Sequence, residues 1–129
     1  MKTLNNNKGF TLIELILVIA ILGILAVAVA PQFVNIQANA QTAQANGVAG
    51  SIRDGINMQF AQTLATSGTG AFPGTLDGAS DGACTAANSC FTSVLQAGVT
   101  AGWTKAGLVY THDATGTAFT YTPATGTFQ

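Results

Sequence analysis

The side chains that could do covalent chemistry are few and scattered in this sequence. Its one histidine, His112, stands beside Asp113 in a segment that we predict to be a surface turn. No serine or cysteine stands near it in a recognisable nucleophile setting, and one histidine without such a partner does not make a hydrolase. We therefore predict a protein that is not an enzyme, with no catalytic residues and no cofactor.

Two cysteines, Cys84 and Cys90, lie in a stretch rich in Gly, Ala, Ser and Thr. Their spacing does not fit a C-x-x-C redox motif, and the sequence has no second pair that zinc would need. We predict a disulfide that closes a loop in an oxidising compartment. The segment 77–82 weakly resembles a calcium loop, but Asn88 stands where a bidentate glutamate should be. We assign no metal site, and calcium stays an open alternative.

Charge is sparse along the whole chain. Four Lys and Arg against five Asp and Glu give a formal net charge of −1, and charged residues make up only 7% of the 129 residues. The basic residues are dispersed, whereas a surface that follows a phosphate backbone needs them clustered. We therefore expect no nucleic-acid partner.

A carboxylate inside an apolar run is the most informative feature. Residues 10–30 read FTLIELILVIAILGILAVAVA, and 14 of these 21 residues are Ile, Leu, Val or Phe. As a helix this run spans ~31 Å, about the hydrocarbon thickness of a bilayer. Its apolar residues favour insertion by about 4–8 kcal/mol, and Glu14, near the end of the span, costs less than the midplane penalty of order 3 kcal/mol. Because Lys2 and Lys8 hold the N-terminus in the cytoplasm, we expect everything after Pro31 to lie outside it.

Three interpretations of this segment compete. A secretory signal would be cleaved after Ala28 or Ala30, and a plain anchor would stay uncleaved, but neither gives Glu14 a role. The third starts from the residues 8–14, KGFTLIE, which follow a short basic leader. This pattern resembles the class III signal of type IV prepilins, and Gly23 and Pro31 also stand where that family has a glycine and a proline.

The resemblance implies how the chain is processed and assembled. It implies that a prepilin peptidase cuts between Gly9 and Phe10 and N-methylates Phe10, and that Phe10 and Glu14 then act in assembly. It further implies that the helix kinks or loosens between Gly23 and Pro31. The implied partners are further copies of this chain in a homopolymer, the peptidase, the inner-membrane assembly machinery and, before assembly, membrane lipid.

The physical chemistry of Glu14 supports a role in assembly. A carboxylate in lipid needs a partner or a proton. Cleavage after Gly9 would create a cationic amine on Phe10, and an amine of one subunit that meets Glu14 of a neighbour would set the register of packing. The alternative is that Glu14 only complements the dipole at the helix N-terminus.

The fold class that we predict is α+β. A leader at residues 1–9 precedes one long helix over 10–65, which spans the membrane to about residue 30, and a globular head follows over 66–129. Apolar residues recur every four positions on the second half of the helix and predict the stripe that the head covers, Val48, Ile52, Ile56, Phe60 and Leu64.

The head is predicted to hold a small antiparallel sheet. Residues 71–89 form an exposed loop closed by Cys84–Cys90, and residues 91–97 form a short helix. Strands follow around Trp103 and over 108–111 and 118–122, with turns at 113–116 and 123–126 and a last edge strand at 127–129. Trp103, Phe119 and Tyr121 are the predicted core.

The function predicted from these features is a structural subunit of a type IV pilus-like filament that serves adhesion, surface attachment or motility. Residues 23–36 resemble pilins of the mannose-sensitive haemagglutinin type most. The precursor would lie in the bacterial inner membrane with its head outside the cytoplasm, and the assembled subunit in an extracellular pilus. The alternatives are a pseudopilin of a type II secretion system, a pilin of a DNA-uptake pilus, and a membrane-anchored or secreted binding domain.

Overall fold

A computed structural model describes residues 9–129 of the chain. The predicted leader, apart from Gly9, lies outside the described residues, and so do Lys2 and Lys8. The chain divides into an N-terminal unit that ends at Gln37 and a C-terminal unit, Ala38–Gln129.

One long helix, α1, covers Leu12–Ser67. The sequence predicted residues 10–65, so the helix begins and ends two residues later than expected. Gly68 ends it because its φ of 74° is in the left-handed region, where its N–H donates to the carbonyl of Leu64 at 3.0 Å. Gly23 and Pro31 both lie within α1.

The part of α1 in the N-terminal unit buries none of its side chains within the chain. The large apolar side chains of this part are exposed by between 44% at Val29 and 77% at Val27. Among the described residues, α1 is the one helix long and apolar enough to cross a bilayer, with a mean hydropathy of 3.1 over its best window. A signal sequence of this length and composition would meet the same criterion.

In the C-terminal unit, α1 buries a stripe that differs from the predicted one. The buried residues are Ala45, Ala49, Ile52 and Ile56, whereas Val48 is half-buried and Leu64 is 48% exposed. A strict four-residue spacing advances by about 40° per step around a helix of 3.6 residues per turn, so five such residues cannot share one face. The observed spacings of four, three and four stay on one face, and this is why the prediction was wrong at Leu64.

A five-stranded antiparallel meander forms the rest of the C-terminal unit, with the strands in sequence order across the sheet. They are β1 Gly82–Ala83, β2 Trp103–Ala106, β3 Val109–His112, β4 Thr117–Thr122 and β5 Thr127–Phe128. The predicted small antiparallel sheet is confirmed, together with its turns at 113–116 and 123–126. Strand β1 was missed because it lies in a stretch that the sequence predicts as loop.

Two predictions about this unit are wrong. Residues 91–97 form turns and no helix, because Cys90 pairs with Val99 through two backbone hydrogen bonds of 3.0 and 2.8 Å. The chain must reverse direction between these two residues, which leaves room for only a single helical turn. The segment 71–89 is not exposed throughout either, since Leu76 and Asp77 within it are buried.

The core is aromatic and follows the period of two along the strands. Trp103, Phe119 and Tyr121 are buried, as predicted, and Phe91, Tyr110 and Phe128 join them. His112 was predicted to lie in a surface turn, but it is a buried residue of β3 whose ring meets that of Trp103 at 5.2 Å between centroids. The alternation that buries Tyr110 carries His112 to the same face, so the turn begins one residue later.

Candidate functional site

The bond predicted to be cut joins two residues ahead of α1. Gly9 and Phe10 are outside the helix, and both are exposed, Phe10 to 92%. Cleavage by a peptidase needs exposed backbone that is not held in a helix. The Gly9–Phe10 bond meets this condition in the uncleaved chain.

Thr11 and Glu14 form a reciprocal cap on the first turn of α1. One carboxylate oxygen of Glu14, Oε2, accepts hydrogen bonds from the backbone N–H and from the hydroxyl of Thr11, each at 2.8 Å. In return, the N–H of Glu14 donates to Oγ1 of Thr11 at 3.3 Å. This is a capping box, in which a Ser or Thr before the helix and a Glu three residues later satisfy each other's backbone donors.

Within a single chain, the capping box gives the carboxylate of Glu14 its hydrogen-bond partners. A carboxylate on an otherwise apolar segment accepts hydrogen bonds from its own helix terminus, where the helix dipole also favours negative charge. The helix dipole was a predicted partner of Glu14, but the hydroxyl of Thr11 was not. The spacing T-x-x-E at residues 11–14 was the signal that could have revealed it.

Gly23 and Pro31, the two predicted points of loosening, lie within the α-helical backbone. A side chain at position 23 would meet open space, so no close packing demands glycine there. Pro31 lacks an N–H, which leaves the carbonyl of Val27 without its helical donor. The loosening itself stays a prediction.

The N-terminal part of the chain matches a known family. The family described as "Prokaryotic N-terminal methylation motif" matches residues 4–30. These residues are therefore similar to the N-terminal methylation motif. The range contains the Gly9–Phe10 bond, the capping box of Thr11 and Glu14, and Gly23.

Curated relatives are similar to this chain over a limited length. Proteins named type IV major fimbrial protein FimA, from Dichelobacter nodosus, are 46% identical to this chain over 56 residues, which is 43% of this chain. The aligned part makes up 35% of one relative and 34% of another. The alignment thus spans about a third of the length of the curated relatives that the chain matches. No solved structure matches the chain.

A disulfide joins Cys84 and Cys90 in the C-terminal unit, as predicted, with 5.5 Å between their Cα atoms. Both cysteines are buried, and the next residue, Phe91, has a φ of 61°. This conformation is rare for a bulky side chain. Phe91 adopts it at the centre of the aromatic core, where its ring lies 4.3 Å from that of Tyr110.

A buried ion pair that the sequence analysis missed holds this region to the sheet. Nζ of Lys105, on β2, lies 2.7 Å from Oδ1 of Asp77 and donates to the carbonyl of Ala79 at 2.6 Å. The other oxygen of Asp77 accepts hydrogen bonds from the N–H of Phe91 at 2.9 Å and from the hydroxyl of Tyr110 at 3.0 Å. Asp77 therefore joins three separate segments of the chain.

These contacts shift two pKa values in opposite directions. Burial by itself would raise the pKa of Asp77, but the hydrogen bonds from Lys105, Phe91 and Tyr110 and the charge of Lys105 outweigh it and lower that pKa. Burial raises the pKa of Tyr110 far above its usual value, and the charge of Asp77 raises it further. The cluster thus favours an ionised aspartate beside a neutral tyrosine.

The same contacts bear on the open calcium alternative. Both carboxylate oxygens of Asp77 accept hydrogen bonds from protein donors, and Asp81 accepts one from the N–H of Gly107 at 2.8 Å. Within residues 9–129, no group of three or more His, Cys, Asp or Glu is placed to hold a metal ion. In this arrangement Asp77 is a structural anchor.

Proposed function

We propose that this chain is the precursor of a structural subunit of a type IV pilus-like filament. A prepilin peptidase cleaves it between Gly9 and Phe10 and methylates Phe10, and the subunits then polymerise through their N-terminal helices. One observation carries the proposal: the methylation motif lies on a helix whose apolar side chains are exposed all around within the single chain.

An all-round apolar helix requires an apolar environment that this chain does not supply. Before assembly, lipid supplies this apolar environment, and insertion of such a segment is favourable by about 4–8 kcal/mol. After assembly, the helices of neighbouring copies replace the lipid. Residues 38–46 have an uncharged Ala, Gln and Asn surface, and small residues let helix backbones approach closely.

Glu14 has a partner at each stage of this pathway. In the membrane, the capping box with Thr11 satisfies one of its oxygens. After cleavage, the cationic amine of Phe10 on a neighbouring copy pairs with the carboxylate, and a subunit out of register would leave both charges unpaired in an apolar core. The pair therefore selects the register of the polymer.

In the assembled filament, the C-terminal unit faces the medium and serves adhesion, surface attachment or motility. The closer resemblance of residues 23–36 to pilins of the mannose-sensitive haemagglutinin type is part of the proposal. The precursor resides in the inner membrane with its C-terminal unit outside the cytoplasm.

Intact mass spectrometry of protein sheared from cell surfaces tests the proposal. We expect a chain that starts at N-methylated Phe10 and is two hydrogens lighter than the reduced chain because of the Cys84–Cys90 disulfide. A chain that starts at Met1, or after Ala28 or Ala30, would contradict it and favour an anchored or secreted domain. Methylated chains that stay in the membrane fraction and never shear off would favour a pseudopilin.

A further inference from the structure

Arg53 is the one Lys or Arg within residues 9–129 that forms no ion pair in the chain, since Lys105 is paired with Asp77. It lies on the exposed side of α1 in the C-terminal unit. Its Nε donates to the carbonyl of Phe128, on β5, at 2.8 Å. This bond fixes the plane of the guanidinium and leaves the edge that carries the two Nη atoms for another acceptor.

A groove of about 470 Å³ lies beside this edge. Arg53 and Asn57 line it from α1, and the residues 125–129 line it from the last turn and β5. The hydroxyls of Thr125 and Thr127 hydrogen-bond to each other at 2.9 Å, which leaves one of their two protons for another acceptor. A fixed guanidinium with an amide and one remaining hydroxyl proton nearby is a set of donors that suits a carboxylate.

We propose that this groove binds an aspartate side chain of a second copy of this chain, which makes it a contact between subunits. The proposal rests on the proposed function and deepens it. Each copy offers exposed carboxylates in the C-terminal unit at Asp54, Asp81 and Asp113. Asp54 is adjacent to Arg53 in sequence. Because consecutive helical residues do not face each other, Asp54 does not pair with Arg53 of its own chain.

Asp81 and Asp113 are the two carboxylates with a fixed geometry. Asp81 accepts from the N–H of Gly107 at 2.8 Å, and Asp113 accepts from the hydroxyl of Thr104 at 2.8 Å. Neither forms an ion pair with Arg53 within the chain. Each copy thus carries an unpaired cation in one place and oriented carboxylates in others, and unlike patches that meet head to tail generate open helical filaments.

Charge reversal and rescue in cells that assemble the filament test the proposal. The readout is the amount of sheared filament relative to processed subunit in the membrane, for the wild type, Arg53→Glu, and Arg53→Glu combined with Asp81→Arg or with Asp113→Arg. We expect Arg53→Glu to lower filament yield about two- to fivefold, the range for one exposed ion pair. One of the two double variants should restore it.

A second pair of variants leaves Arg53 in place, in case its replacement weakens the fold. Asn57→Asp puts a carboxylate one helical turn from Arg53, where it would capture the guanidinium within the chain and lower the yield. Asn57→Gln keeps an amide there without adding a charge, so as the matched control it should lower the yield less than Asn57→Asp.

The outcomes separate the two proposals. If the wild type forms filaments and both Arg53→Glu and Asn57→Asp give the same filament yield as the wild type, the groove contact alone is overturned. Reduced yield that neither reversed aspartate restores would also overturn it, and would point to a free anion or a different partner in the groove. Absence of the wild-type chain from the sheared fraction would overturn the filament function itself.

Discussion

The two halves of α1 contain similar apolar residues, but their surroundings in the fold are different. In the N-terminal unit, Ile, Leu and Val side chains stay about half exposed or more on every side of the helix. In the C-terminal unit, Ile52 and Ile56 are fully buried against an aromatic sheet. The chain thus leaves the apolar side chains of the first half uncovered, whereas it buries those of the second half in its own core.

This difference assigns separate tasks to the two units. An apolar surface without a cover inside the chain must find one in lipid or in other copies, so changes there should alter insertion and assembly. A core that the chain completes itself sets the stability of the C-terminal unit. Trp103, the single tryptophan, is buried in that core, so its fluorescence reports the unfolding of this unit alone.

The largest expected effect comes from Glu14→Gln in the N-terminal unit. Glutamine still accepts the hydrogen bonds of the capping box, but in the proposed polymer it would leave the amine of Phe10 unpaired between packed helices. Because an unpaired buried charge costs about 3–5 kcal/mol, we expect the yield of sheared filament to fall at least about a hundredfold. Quantitative immunoblots of the sheared and membrane fractions measure this.

Glu14→Asp, which keeps the charge, is the control and should lose less filament than Glu14→Gln. The unfolding transition at Trp103 should be unchanged in both variants, since Glu14 is outside the C-terminal unit. Filament yield from Glu14→Gln equal to that of the wild type would mean that Glu14 only caps the helix.

Within the C-terminal unit, Lys105→Met should have the largest effect. It leaves the carboxylate of Asp77 buried without its cation, and we expect the free energy of unfolding to fall by about 3–5 kcal/mol. Denaturant titration followed by Trp103 fluorescence measures the loss. Combining Lys105→Met with Asp77→Leu should recover part of it, whereas a double variant as unstable as the sum of the single ones would contradict a direct pairing.

The Asp77–Lys105 pair also shows where inference from the sequence stopped. The apolar run, the class III signal and the turns at 113–116 and 123–126 are local patterns, and they predicted the long helix and most of the sheet. Asp77 and Lys105 are 28 residues apart, and no local pattern shows that they meet. His112 and β1 were missed for a related reason, because the contacts that bury or pair them come from other strands.

The disulfide should contribute less than the ion pair. Replacing Cys84 and Cys90 together by alanine removes a short closed loop from the unfolded chain, which corresponds to about 2 kcal/mol. The unfolding midpoint of the variant should match that of the wild type measured with a reductant. If reductant lowers the midpoint of the variant as well, the effect does not come from this disulfide.

Two glycines at equivalent turn positions allow a smaller contribution to stability to be measured, the packing of Phe72 against the turn. Gly116 and Gly126 have φ values of 68° and 67°, so alanine at either position costs about 1 kcal/mol in the backbone. A Cβ at position 116 meets open space, whereas one at 126 overlaps the ring of Phe72. We expect Gly126→Ala to be less stable than Gly116→Ala by about 1–2 kcal/mol, because the half-buried Phe72 can shift only partly. Equal losses would show that Phe72 is free to move.

The smallest effect concerns acid. The fold lowers the pKa of Asp77, so its folded form prefers the ionised carboxylate more than the unfolded chain does. The resulting stability is fully present above the unfolded pKa of about 4 and is lost as the pH falls from there towards the folded pKa. Asp77→Asn should therefore be less stable than the wild type at neutral pH but lose less stability between about pH 5 and pH 2. Denaturant titrations by Trp103 fluorescence across this range measure both slopes, and parallel curves would mean that Asp77 does not set the acid sensitivity of the C-terminal unit.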